Sequence, residues 1–377
     1  MPTVFSQNLK YIDWEKLLKT NWDRLRRLMK ERDIDSLIVN DIHNVKYLTG
    51  YSPFYCLFML NTQAVVFPRD AECPTLFPVD FYMDFIPKRY PWLKDVRPAP
   101  KKLKDWPKAF AQLELGDRVG VDSAMMYELG KLLEKELKAE VVLAEDVLQE
   151  VRSVKNEEEV KVMDIATAIA EIGMRRAIDV CDEGMREYEV AAEISYAVRM
   201  AGAEAATHTL VTSGENAAMM QELSTDKIIR RGELVIIDTG AIYEGYNSEF
   251  ARTVPVGRPT EEQRHIMEIV YEAEQSAIKL IKPGAKVADV DKEARRVIRE
   301  AGYGQYEFTY NVGHGIGIAL WEKPIIESES EDVFKENMFV CVEPAIYKPG
   351  VGGARIEDVV QVTSTGYKIL TRTEYLI

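Results

Sequence analysis

The chain has 377 residues, enough for two domains that each bury a core. Its net charge of −14 speaks against nucleic acid or an anionic membrane surface as the main partner. No apolar run is long enough to span a bilayer, so the chain reads as an ordinary soluble globular protein.

The N-terminal segment MPTVFSQNLKYIDWEKLLKT is polar and lacks the apolar stretch of a secretory signal. The cysteines (Cys56, Cys73, Cys181, Cys341) are scattered, with no CxxC pair, as expected of reduced thiols in a cytoplasmic protein. Three short apolar runs, DSLIVN (35–40), QAVVFP (63–68) and DRVGVD (117–122), predict buried strands. Helical stretches lie before and between them, which predicts a small α/β domain with a largely parallel sheet over residues 1–151.

The pattern changes at LQEVRSVKNEEEV. Asn156 with Glu159 three residues on is a capping box, opening a long helix through Ala177. The second domain is therefore placed at 152–377. REYEVAAEISYAVRMAG predicts another helix, stopped by Gly202. Thr260 and Gln263 form a further capping box, followed on one face by Ile266, Ile269, Val270, Ala273 and Ala277. VADVDKEARRVIREAG gives one more helix. Between the helices lie two long hairpins, 233–256 and 338–363, so this domain reads as α+β, with helices on one face of a curved antiparallel sheet.

The hairpins carry the chemistry. Tyr243-Glu244-Gly245-Tyr246 reads as a two-residue turn, which pairs Gly240 with Glu249 and puts Asp238 on the same face. If the second hairpin is symmetric about Gly350, Glu343 and Glu357 face each other. Like charges opposite one another in a ladder repel. Either a bound cation relieves them or Arg252 and Arg355 neutralise them as buried ion pairs; spacing alone leaves both open. His314 stands among Gly313, Gly315 and Gly317, where backbone or a ligand could approach closely. Carboxylates with one imidazole suit divalent Mn, Co, Zn or Fe, and a pair of such ions can assist hydrolysis.

These residues resemble the pita-bread hydrolases, the family of methionine aminopeptidase, aminopeptidase P, prolidase and creatinase. The likeness runs through NVKYLTGY, VRSVKNEEEV, TLVTSGEN, IIDTGAIYEGYNSEFART, VGHGIG, VEPAIY and GGARIEDVVQVT. With its preceding α/β domain, the chain is similar to the prolidase and creatinase branch. The resemblance implies a site of two divalent ions held by Asp238, Glu249, His314, Glu343 and Glu357. Asp238 and Glu249 would hold one ion, His314 and Glu343 the other, with Glu249 and Glu357 bridging. Glu343 would also move a proton to the leaving amine, and Arg355 would brace the carboxylates. The loop around Tyr51 would reach the site of a second subunit, making a homodimer.

Three positions depart from the peptidases of that family. Glu249 stands where they carry Asp, and Trp321 and Gln221 stand where they carry histidines that assist peptide hydrolysis. Gln221 can still donate a hydrogen bond, Trp321 can stack on a substrate, and His208 is a candidate stand-in for the missing imidazoles. The implied activity is hydrolysis of an amide or peptide C–N bond, with Xaa-Pro dipeptides as the family default. The alternative is a small compact amide, as for creatinase and ectoine hydrolase, and the third reading is a binding protein on an inactive fold. The retained acid and imidazole set counts against the third.

Overall fold

The computed structural model describes residues 12–51, 63–219 and 223–377. These form two compact units, one ending at Arg152 and one running from Ser153 to Ile377. Among the described residues no helix is long and apolar enough to cross a membrane.

The N-terminal unit holds a six-stranded sheet in the order β4-β3-β2-β1-β5-β6. Its strands are β1 (Ser36–Val39), β2 (Ala64–Pro68), β3 (Thr75–Phe77), β4 (Asp95–Val96), β5 (Arg118–Val121) and β6 (Glu140–Leu143). The three apolar runs form β1, β2 and β5. The sheet is mixed rather than largely parallel. β1–β5, β5–β6 and β3–β4 are parallel, but β1–β2 and β2–β3 are antiparallel. Residues 69–74 are too few for the crossover that a parallel β2–β3 pair needs. Helix α1 (Trp14–Glu31) starts at Asp13, whose carboxylate accepts from Lys16 N. Helix α2 (Ile42–Thr49) is closed by Gly50 at φ 72°, the left-handed conformation glycine adopts without strain. Ile38, Val66, Phe77, Phe110, Val119 and Leu133 are core residues of this unit.

In the second unit α3 (Glu157–Val180) begins at the expected capping box. Asn156 Oδ1 accepts from the backbone of Glu158 and Glu159, and Glu159 takes Asn156 N in return. The helix runs about a turn beyond Ala177. Helix α4 (Glu187–Met200) ends just before Gly202, at φ 104°. Helix α5 (Glu261–Ile278) has the Thr260–Gln263 box, and α6 (Val287–Glu300) follows. Ile266, Val270 and Ala273 of α5 and Val290, Ala294 and Val297 of α6 share one core with Val340, Val342, Ile346 and Val360. The last three valines lie on strands, so the helices cover one side of the sheet residues.

The strands here are all antiparallel. One sheet has the order β11-β8-β7, from β7 (Thr209–Ser213), β8 (Leu234–Thr239) and β11 (Phe250–Pro255). Another has the order β13-β12-β14-β17-β18, from β12 (Gly313–Gly315), β13 (Glu322–Ile326), β14 (Phe339–Val342), β17 (Asp358–Val362) and β18 (Tyr367–Ile369). The hairpin tips are β9 (Ile242–Tyr243) with β10 (Tyr246–Asn247), and β15 (Ala345–Lys348) with β16 (Gly352–Arg355).

Candidate metal centre

The first hairpin turns at Glu244 (φ 50°) and Gly245 (φ 78°), and Tyr243 pairs with Tyr246 as the two-residue turn requires. The same register carries Asp238 opposite Ala251 and Thr239 opposite Phe250, so Glu249 falls opposite Gly240. A Cβ on Gly240 would lie 1.7 Å from Ser248 O, so only glycine fits there. In the second hairpin Val342 pairs with Asp358 and Ala345 with Arg355, one continuous register that sets Glu343 opposite Glu357. Both hairpins meet where Ala251 and Glu357 exchange backbone hydrogen bonds of 3.3 and 3.1 Å. Asp238, Glu249, Glu343 and Glu357 thereby share one buried space.

His314 enters from β12, opposite Cys341. The glycines around it make room for backbone rather than for a ligand. A Cβ on Gly313 would meet Cys341 O at 2.0 Å, and one on Gly315 would meet Lys323 O at 2.3 Å. His314 Nδ1 lies 3.0 Å from Gly315 O, which turns Nε2 toward Glu249 Oε2 (3.4 Å) and Glu343 Oε1 (3.7 Å). Trp321 stacks on the imidazole with ring centres 4.6 Å apart, and the residue as a whole is 45% exposed.

His208, placed in the sequence as a possible substitute for missing histidines, is part of the cluster. Its Nε2 is 2.8 Å from Asp238 Oδ1 and 3.3 Å from Glu249 Oε1. Burial alone would lower its pKa, but the Asp238 and Glu249 carboxylates outweigh that and raise it to about 9. Arg355 pairs with Asp238 Oδ2 and reaches Glu343 Oε2 at 3.8 Å. Tyr347 and Tyr310 accept from its Nη2 at 2.6 and 2.8 Å. The ion-pair alternative is thus realised for Arg355 but not for Arg252. Strand alternation turns Arg252 to the other face, where it pairs with Asp358 at 2.7 Å.

The electrostatics are uneven. Burial raises Asp238, but His208 and Arg355 together bring it below its ordinary value. Burial and the neighbouring carboxylates hold Glu357 well above the usual range, and Glu343 is pushed up to about 7 mainly by burial. Burial and the same carboxylates keep the Cys341 thiol protonated. Several atoms in this space have no hydrogen-bond partner: Glu249 Oε2, His314 Nε2 and both Glu357 oxygens. An unmatched buried carboxylate is costly, and a cation is the group that would satisfy all four atoms at once. The donors fall into two sets with Glu249 common to both: His208, Asp238 and Glu249, and Glu249, His314, Cys341 and Glu357. The residues present therefore fit divalent metal.

Residues 161–364 match the model of metallopeptidase family M24, and residues 22–154 match that of the creatinase/prolidase N-terminal domain. The chain belongs to metallopeptidase family M24. It is 36% identical to the Xaa-Pro dipeptidase of Pyrococcus furiosus over 95% of this chain and 99% of that one. A crystal structure of the prolidase from Pyrococcus horikoshii OT3 superimposes with a TM-score of 0.85 at 34% identity, covering 95% of this chain and 100% of the other. The prolidase from Pyrococcus furiosus gives 0.82 at 35% identity, covering 93% and 99%. This M24 chain accordingly has the creatinase-type N-terminal domain and the pita-bread C-terminal domain, and it is a metal-dependent hydrolase of C–N bonds.

Two residues expected to touch substrate are not in the cluster as described. Gln221 lies outside the described residues, as do residues 52–62 that follow Tyr51. Tyr51 itself is buried, edge-on to Tyr90 (5.7 Å) and Tyr82 (6.1 Å) of its own unit. The residues that sequence reasoning missed are Tyr310, Tyr347 and Cys341. A signal for Tyr347 was present, because hairpin symmetry about Gly350 sets it diagonal to Arg355 on one face.

Proposed function

We propose that this M24 metallopeptidase is an Xaa-Pro dipeptidase that works with two divalent ions. The observation that carries the reading is the set of unpartnered buried atoms on Glu249, His314 and Glu357, all in one carboxylate-lined space. Asp238, Glu249 and Glu357 would hold one ion, and Glu249, His314, Glu343 and Glu357 the other. Oxygen donors with imidazole suit Mn, Co, Zn or Fe. When bound, such ions polarise the scissile carbonyl and acidify water.

The chain's own groups do the rest. Glu343 stands between His314 and Arg355, where a carboxylate takes the proton from attacking water and delivers it to the leaving nitrogen. Water adds across the C–N bond, its oxygen to the carbonyl carbon and its proton to the amine. Arg355, held by Tyr310 and Tyr347, keeps Asp238 oriented. Trp321 offers an apolar face beside His314 for a proline ring or another compact group. Gln221 completes the proposed substrate contacts, and in a homodimer a second subunit would bring the segment that starts at Tyr51, whose own ring is buried in its unit.

One feature favours a second reading, a small non-peptide amide as substrate. Trp321 occupies a place where the peptidases that the sequence resembles carry an assisting histidine. The deciding experiment is an assay of the metal-loaded protein on Xaa-Pro dipeptides beside small cyclic and guanidino amides. Turnover of the dipeptides is expected. Activity confined to the second group rejects the dipeptidase reading, and absence of metal binding after loading with Mn or Co rejects the metal site.

A further inference from the structure

His208 lies in register with Glu249 across the sheet. β7 pairs with β8 so that Thr209 faces Thr239, which carries His208 opposite Gly240, and Gly240 in turn lies opposite Glu249. Thr239 Oγ1 donates to His208 O at 2.8 Å and fixes the backbone there. With no side chain on Gly240, the imidazole and the carboxylate converge from either side over the central strand.

The longer side chain of Glu249 then has a specific consequence. Its two oxygens face two different imidazoles, Oε1 toward His208 Nε2 at 3.3 Å and Oε2 toward His314 Nε2 at 3.4 Å. His208 Nε2 is also 2.8 Å from Asp238 Oδ1. Donor atoms around one ion with ligand bonds of about 2.1 Å are separated by about 3.0–3.4 Å. The His208, Asp238 and Glu249 atoms are close to that spacing before any ion is bound. Asp238 does not need His208 as a counter-ion, because Arg355 already pairs with its other oxygen.

We propose that His208 is a metal ligand, completing the Asp238 half of the site so that each ion has one imidazole and Glu249 bridges between them. The proposal rests on the two-ion reading above and adds a nitrogen donor to the ion that would otherwise have oxygen donors alone. It shifts the preference of that half-site from oxygen-seeking Mn toward Zn, Co or Fe.

The chain has only four histidines, His43, His208, His265 and His314, so each imidazole can be followed separately. Metal-free protein labelled with 15N-histidine is titrated with Zn(II), while bound zinc is counted and the ring nitrogens are read by long-range 1H–15N correlation. The expected result is two zinc ions per chain, with the Nε2 signals of both His208 and His314 moving to metal-bound positions. In His208→Asn one zinc stays tight and the second weakens by more than the roughly 10–100-fold that is typical of disturbing only a ligand's supporting partner. Two ions bound with only His314 shifted overturns the His208 assignment and leaves the two-ion site standing. No zinc bound to the wild-type protein overturns both. Because the wild-type spectrum is decisive alone, a poorly folding variant does not weaken the test.

Discussion

Two clusters of buried charge lie on opposite faces of the same strands, one residue apart in sequence. Arg252 and Asp358 form the first, and Glu357, Glu249 and Asp238 belong to the second. On the Arg252 face the ion pair itself is matched, although Glu274 beside it keeps one oxygen without a partner and is held well above the usual carboxylate range by burial and by Asp358. Asp358 Oδ1 accepts from Arg252 at 2.7 Å and from Thr371 at 2.5 Å, and Tyr375 donates to Oδ2. Arg252 also donates to the carbonyls of Thr373, Ala251 and Glu357 at 3.0, 2.9 and 2.8 Å. On the Glu357 face, carboxylate and imidazole atoms stay without hydrogen bonds. Burial and charge are common to both faces, so neither marks a site. Four unpartnered carboxylate and imidazole atoms gathered in one space do, because folding alone gains nothing by bringing them together.

That contrast can be broken by substitution. Glu357→Gln should lower turnover about a thousandfold or more, as loss of a working catalytic group does, and should abolish binding of the second ion. Metal counting and steady-state kinetics check it. The same change should leave the metal-free protein no less stable, since one repelling carboxylate is gone. Arg252→Met should do the reverse. It leaves Asp358 buried and unpaired, costing about 3–5 kcal/mol in a urea titration, while the folded fraction still binds metal.

The N-terminal unit holds a third case. Asp122 Oδ2 accepts from Asn40 N and Asp41 N at 2.8 Å each, but its Oδ1 has no partner, and burial raises its pKa to about 6. A carboxyl raised on folding keeps its proton longer in the native state, so stability should fall as pH rises from about 4 through 6. The loss amounts to about 3 kcal/mol, and Asp122→Asn should flatten that limb in pH-dependent unfolding. The smallest effect expected is from metal itself. At a free concentration about 100 times the dissociation constant, Zn(II) should stabilise wild type and Arg252→Met alike by about 2.7 kcal/mol, and Glu357→Gln much less. Thermal unfolding with and without chelator measures it.

Much of the site was legible because hairpins are local. A two-residue turn admits one register, so the placement of Asp238 beside Glu249 followed from Glu244-Gly245 alone, and Glu343 opposite Glu357 from symmetry about Gly350. The helix starts at Asn156 and Thr260 were equally local, each needing only a cap and a residue three further on. The strand directions of the N-terminal sheet were not, because alternation of helix and strand does not say which way a strand returns.

The sequence by itself determined the two hairpins, the side of each strand that carries carboxylates, and the one imidazole set among glycines. Strand period and turn chemistry act over a few residues, so these needed no knowledge of the rest of the chain. Only the tertiary structure decided which groups meet. The Ala251–Glu357 backbone bonds join the two hairpins, the β7–β8 pairing brings His208 across 30 residues to Asp238, and alternation sends Arg252 away while Arg355 stays. Each depends on pairing between distant segments, where the choice of partner is set by the whole core and not by the residues that meet.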